Sequence, residues 1–209
     1  MFLPRTLGQG TIFEPEIFFL PARFLPFQEI LIAMTRTSQI RRQKLLTAAE
    51  GYLMLDLPEM ALDALNEIAD PYRAPFQVHF LRGEVYRQLQ EHKAALIEYQ
   101  QAYALKSADV PLLMAMAWCF KRTGQLTRAI YVAEHASRLS PQEAVLLYNV
   151  ACYWSLAGNK AQSLSWLGRA LRMDKGLRKL IAEESDFDFL RYDPDFQRMA
   201  FNLGRPSMA

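Results

Sequence analysis

The sequence contains few of the residues that build metal sites and disulfide frameworks. Its 209 residues include only two cysteines and three histidines. Cys119 and Cys152 lie far apart, and neither has a CxxC motif or a Cys/His cluster near it. This spacing predicts neither a zinc site nor a disulfide scaffold. We therefore expect no metal, no cofactor and a location in the reducing cytoplasm.

The chain also lacks an excess of either charge. Lys and Arg number 24 and Asp and Glu number 22, which gives a formal net charge of +2. Non-specific binding of nucleic acid requires a dense positive field, so we expect no nucleic-acid partner. Hydrophobic residues make up 51% of the chain, which is enough to form a core and argues against overall disorder.

Long apolar runs are missing as well, even near the N-terminus. Residues 1–33 are rich in Phe, Leu and Ile, but charged residues and prolines interrupt every run. A membrane span needs about 20 apolar residues and a secretory signal about 7–15, so we expect neither. The prolines, of which Pro26 is the last, also argue against a long helix before residue 27. We interpret residues 1–33 as an irregular or partly disordered apolar arm, while a start at Met34 remains open.

What the sequence does contain is a 34-residue period. From about residue 42, apolar residues recur at three- and four-residue intervals, which predicts helices. The pattern breaks near Asp56, Gln90, Gly124 and Gly158, which are 34 residues apart. Similar residues form columns at this offset: Ala49, Gly83, Ala117 and Ala151; Tyr52, Tyr86, Phe120 and Trp154; Ala61, Ala95, Ala129 and Ser163; Leu62, Leu96, Ile130 and Leu164; and Ile68, Ala102, Ala136 and Ala170.

These columns predict an array of antiparallel helix pairs. Small residues are needed where two helices cross closely, and an aromatic residue one turn later fills the remaining gap. Each pair must then stack on the next pair to cover its apolar face. We therefore expect an all-α fold, a solenoid of helical repeats.

The columns resemble the tetratricopeptide repeat (TPR), whose pattern is a small residue, an aromatic, a turn Gly, then Ala, aromatic, Ala and a closing Pro. By this resemblance the chain is identified as a bacterial-type TPR protein with a right-handed solenoid over residues 34–177. The best match is repeat 110–143, where the pattern falls on Ala117, Phe120, Gly124, Ala129, Ala136 and Pro141. The other repeats are predicted at 42–75, 76–109 and 144–177. Residues 178–209 are interpreted as a C-terminal cap with short helices and a tail, because the last repeat needs a cover.

Enzyme motifs are weak in this sequence. The histidines occupy unrelated phases of the repeat, and the sequence contains neither a glycine-rich phosphate loop nor a nucleophile elbow. His79 shares its phase with three leucines, which favours a partly buried position in the core. Cys152 has no base or metal ligand at a matching phase, so we interpret it as a small apolar residue rather than a reactive thiol. We expect no enzymatic activity.

The resemblance places the concave face of the solenoid on the first helix of each repeat. Exposed aromatics and arginines are typical of binding hot spots, and basic side chains orient acidic groups. We expect a partner protein or peptide to bind there, with its apolar side chains on the floor of a groove. The predicted contact residues are Phe80, Glu84, Arg87, Met114, Trp118, Lys121, Arg122, Tyr148 and Cys152.

Other interpretations stay open at this level. The apolar arm could cover the groove of its own chain, or that of a second copy in a homo-oligomer. A secretion or assembly chaperone for one client would present the same repeats. The carboxylate clamp of chaperone-binding TPR proteins is not expected, because Leu46 and Glu50 stand where that site has Lys and Asn.

Overall fold

The structure, a computed structural model, describes residues 27–68 and 75–201. The chain divides into two compact units, residues 1–40 and 41–209. Over the described ranges it is helical and has no β-strand, so the all-α prediction is confirmed. The helices are α1 (Phe27–Met54), α2 (Pro58–Asn66), α3 (Phe76–Gln88), α4 (His92–Leu105), α5 (Val110–Arg122), α6 (Leu126–Leu139), α7 (Ala144–Leu156), α8 (Lys160–Met173), α9 (Arg178–Ile181) and α10 (Pro194–Phe201).

Helix α1 begins at Phe27, immediately after the last proline of the apolar arm. No residue from 27 to 54 is a proline, so each can take part in helical hydrogen bonding. Residues 27–33, which we expected to be irregular, are therefore helical. Residues 1–26 of the predicted arm lie outside the described residues. None of the described helices combines the length and apolar character that crossing a membrane requires.

From α2 to α8, each helix packs on the next helix along the chain. Helices α3 and α4, α5 and α6, and α7 and α8 form pairs, and α4 packs on α5 as α6 packs on α7. Three residues separate the two helices of each pair, so the chain reverses direction there. Helices α3, α5 and α7 begin at Phe76, Val110 and Ala144, the first residues of three predicted repeats. The predicted solenoid of helical repeats is confirmed.

The columns of small residues form the contacts between helices. Ala49, Ala117 and Ala151 are fully buried. The small column of the second helices, Ala61, Ala95, Ala129 and Ser163, is fully buried as well. The hydroxyl of Ser163 donates a hydrogen bond to the carbonyl of Ala151 at 2.9 Å. The polar member of the column is therefore satisfied inside the core.

The same turn ends the first helix of every repeat. Its central residue, Asp56, Gln90, Gly124 or Gly158, has a positive φ between 58° and 75°. In the third repeat the N–H of Gln125 donates to the carbonyl of Phe120 at 2.8 Å, and the N–H of Gly124 to that of Lys121 at 3.1 Å. This is the Schellman motif, which favours glycine because a Cβ is strained at positive φ. Two repeats place a non-glycine residue there.

Replacing Gln90 with glycine should relieve this strain. We expect Gln90→Gly to raise the free energy of unfolding by about 1 kcal/mol, measured by urea denaturation. The matched control is Gln90→Ala, which removes the same polar group but keeps a Cβ at positive φ. A Gln90→Gly variant no more stable than Gln90→Ala would contradict the assignment of strain.

Gly83 is the smallest member of its column because a large ring occupies the space opposite. A Cβ at Gly83 would overlap the ring of Tyr99, which is fully buried. In the other repeats an alanine takes the place of Gly83, and the residue in the place of Tyr99 is smaller than tyrosine. Those pairs are Ala49 with Leu65, Ala117 with Ala133, and Ala151 with Leu167.

We expect Gly83→Ala to lower the free energy of unfolding by about 1–3 kcal/mol, because a packed ring must move. Combining it with Tyr99→Leu should recover part of that loss, as a double-mutant cycle would show. Gly51→Ala is the control, because a Cβ there meets nothing within 4 Å. Equal effects of the two alanine substitutions on urea denaturation would refute the packing argument.

Candidate partner-binding groove

The predicted contact residues lie on α3, α5 and α7, and only those on α7 are fully covered. Phe80, Arg87, Met114 and Trp118 are half-buried, and Arg122 is exposed. We call these five residues the open groove. Farther along the array, Tyr148 and Cys152 on α7 are only 3% and 2% exposed.

Trp118 lies at the centre of the open groove between basic side chains. The guanidinium carbons of Arg87 and Arg122 each lie 5.7 Å from the centre of its ring. The ring of His92 meets it edge-on, with 4.9 Å between the ring centres. Cations at this distance interact favourably with the face of an indole. The indole is thus held in place while part of it remains exposed.

His92 is a groove residue that sequence reasoning missed. It is the first residue of α4, the second helix of its repeat, and so belongs to none of the predicted concave columns. Its Nε2 lies 3.4 Å from Nε of Arg122. Burial, with added repulsion from Arg122 and Arg87, lowers the pKa of His92, so the imidazole is neutral at pH 7.

A cleft of about 500 Å³ opens beside His92. It runs along the start of α4 to the end of α5. An acidic group that enters it would meet the cationic side chains of Lys93 and Arg122. The full lining is Gln90, Glu91, His92, Lys93, Ala94, Arg122 and Thr123.

Glu84, a predicted contact residue, binds its neighbours within the chain. Its carboxylate accepts a hydrogen bond from the Tyr99 hydroxyl at 2.5 Å. It also accepts two from Arg87, at 2.5 Å from Nη2 and 3.1 Å from Nε. The hydrogen bond that Arg87 donates to Glu84 raises the pKa of Arg87. Glu84 therefore positions the guanidinium of Arg87 in the groove.

The far end of the predicted groove is covered by the chain's own C-terminal segment. The 3₁₀ helix Ser185–Leu190 packs on α7. Phe187 is fully buried, and its ring meets that of Tyr148 edge-on at 5.6 Å. Tyr148 and Cys152, which we expected to be exposed, are therefore buried. The expectation was wrong because the cap extends onto the inner face of the last repeat.

Lys121 is also engaged by this segment. Its ammonium lies 2.7 Å from a carboxylate oxygen of Asp186, and both side chains are mostly buried. This ion pair connects α5 of the third repeat to the cap. Lys121 is therefore not a free cation for a partner.

The cap is held on the last repeat by further contacts. Lys160, at the start of α8, lies 2.6 Å from Asp193 and 2.8 Å from Asp195. The ring of Phe196 packs on Phe187 with 5.3 Å between centres. Both phenylalanines are fully buried, so the segment is part of the core.

Several solved structures share this architecture. A crystal structure of MamA matches with a TM-score of 0.61 and 17% identity, covering 73% of this chain and 86% of MamA. YrrB, described as a TPR protein with an unusual peptide-binding site, matches with a TM-score of 0.61 and 17% identity over 74% of this chain and 86% of YrrB. The chain has a tetratricopeptide-repeat fold. PilF of Pseudomonas aeruginosa matches the TPR array with a TM-score of 0.60 and 18% identity, covering 81% of this chain and 79% of PilF. No family model and no curated protein sequence matches the chain.

Where the cap meets this TPR array, one group of described residues has metal-ligating atoms close together. Cys152, Glu184 and Asp186 place theirs within 4.8 Å of one another. The ammonium of Lys121 already lies against Asp186 and supplies positive charge there. Burial, with added repulsion from Glu184 and Asp186, raises the pKa of the Cys152 thiol. Burial also raises the pKa of Cys119 to about 12. Both thiols are therefore protonated at pH 7, which is unfavourable for nucleophilic chemistry.

The cover over α7 can be tested through the thiol of Cys152. We expect Phe187→Ala to raise its rate of reaction with a disulfide reagent by about tenfold or more, because the thiol becomes accessible to solvent. Mass spectrometry of the labelled peptides separates Cys152 from Cys119. The matched control is Phe189→Ala, since that side chain is exposed. Equal rates in the two variants would show that Phe187 does not shield the thiol.

Proposed function

We propose that this protein is a non-enzymatic scaffold whose open groove binds a peptide segment of a partner protein. The observation that carries the proposal is the partly exposed indole of Trp118, flanked by the guanidinium groups of Arg87 and Arg122. Tryptophan and arginine are among the residue types enriched in binding hot spots. A partner that covers Trp118 would bury apolar area beside two positive charges.

The floor of the groove is suited to apolar side chains. Phe80 and Met114 are half-buried on α3 and α5, so each still has surface to offer. The ring of Phe76 stacks on that of Phe80, with 5.8 Å between the ring centres. Glu84 and Tyr99 hold Arg87 in position. Because these groups are ordered before a partner arrives, binding would cost less conformational entropy.

The structural neighbours support a role in protein interaction. YrrB is described as having a peptide-binding site, and two further neighbours are described as TPR proteins. The cytoplasmic location, the bacterial source, the absence of a nucleic-acid partner and the formation of a homo-oligomer stay predictions. The interpretations in which the arm covers a groove also stay predictions. Most of the arm, residues 1–26, lies outside the described ranges, and the rest is the start of α1.

The proposal can be tested with a phage-displayed library of random 12-residue peptides selected on the immobilised protein. Selected peptides are then titrated by fluorescence anisotropy. We expect Trp118→Ala to weaken their binding by about 2 kcal/mol, or roughly thirtyfold, because the hot-spot side chain is lost.

Trp166→Ala is the matched control for this experiment. Trp166 lies on α8 and is also paired with a guanidinium, that of Arg169 at 4.3 Å from its ring. It belongs to the second helix of its repeat, away from the concave columns, so binding should persist. The function proposed for the groove is wrong if no selected peptide depends on Trp118.

A further inference from the structure

The C-terminal segment shows which chemical groups the concave face accepts. Asp186 and Phe187 are adjacent in sequence and are 8% and 0% exposed. The carboxylate of Asp186 pairs with Lys121 at 2.7 Å. The ring of Phe187 packs on Tyr148 at 5.6 Å. An acidic residue followed directly by an aromatic residue therefore fits between two neighbouring repeats.

The two receiving residues have counterparts one repeat toward the N-terminus. Lys121 lies near the end of α5 and Tyr148 within α7. An offset of 34 residues leads from them to Arg87 on α3 and Met114 on α5. The arrangement is again a cation on one repeat and a large apolar side chain on the next. Because successive repeats stack in the same way, the two pairs occupy equivalent places on the concave face.

The upstream place differs from the occupied one in being open and in holding two guanidinium groups, those of Arg87 and Arg122. Arg87 and Met114 are half-buried, whereas Tyr148 is buried under the cap. Trp118 stands where the fourth repeat has Cys152, and Arg122 stands where it has Leu156. Glu84 offsets the charge of Arg87, but Arg122 contacts neutral His92. Arg122 therefore adds positive charge that a partner can neutralise.

We propose that the open groove recognises partner segments in which an acidic residue directly precedes an aromatic residue. The partner would bind in the same way as Asp186 and Phe187, but one repeat closer to the N-terminus. Its carboxylate would pair with Arg122 and Arg87, and its ring would pack on Met114 and Trp118. This inference rests on the proposed function and adds the chemistry of the partner.

The test uses the same phage library of random 12-residue peptides, sequenced after selection on the full-length protein. Acidic–aromatic pairs should be enriched at least about fivefold over aromatic–acidic pairs, which have the same composition in the reverse order. Selection on an Arg87→Glu/Arg122→Glu variant should abolish this enrichment. Arg128→Glu is the matched control, because its side chain lies on α6 over Phe120, and it should leave the enrichment unchanged.

Synthetic peptides measure how much the acidic–aromatic pair contributes to binding affinity. From a selected peptide carrying the pair, variants are made with the acid changed to its amide and with the two residues exchanged. Each change should weaken binding to the wild-type protein about tenfold, because a charge-assisted pair is lost or misplaced.

The outcomes separate this inference from the function on which it rests. Peptides that depend on Trp118 but show no enrichment of the acidic–aromatic order would overturn the inference and leave the groove as a binding site. Peptides that are indifferent to Trp118 would overturn both. Enrichment that survives in the Arg87→Glu/Arg122→Glu variant would also overturn the inference, because these two residues supply its charge.

Discussion

Each helix pair of this array has an apolar face that only the neighbouring pair can cover. The close packing that results explains why two columns of the repeat, one on the first helices and one on the second helices, contain only Ala, Gly or Ser. Ala117 and Ala129 are fully buried at such contacts. A larger side chain at a crossing would push the helix axes apart and lose contacts along both helices. The 34-residue period arises because every repeat must meet this packing requirement at the same positions.

The last pair has no further repeat to cover it, so the chain provides its own cover. The segment with Phe187 and Phe196, both fully buried, fulfils this need. In doing so it lies across α7 and reaches α5 through the pair of Asp186 with Lys121. Closing the end of the array therefore also closes the last part of the concave face. The open groove is what remains on α3 and α5.

Packing and the groove are linked through one chain of contacts in the second repeat. The missing Cβ of Gly83 leaves room for the ring of Tyr99. The hydroxyl of Tyr99 reaches Glu84, and Glu84 in turn holds Arg87. Arg87 then lies over the ring of Trp118 on the next repeat. A residue chosen for helix packing thus helps to orient a charge on the candidate binding surface.

The helical repeats, the positions of their turns and the residues buried between helices could all be predicted from the residue pattern. These features are readable because they arise from local periodicity that every repeat shares. The burial of Tyr148 and Cys152 and the contact of His92 with Trp118 became visible only in the folded chain. Both depend on contacts between parts of the chain that are distant in sequence: Lys121 and Asp186 are 65 residues apart, and His92 approaches the groove from a second helix. No column of the repeat carries that information, because the cap occurs once and has no counterpart in the earlier repeats.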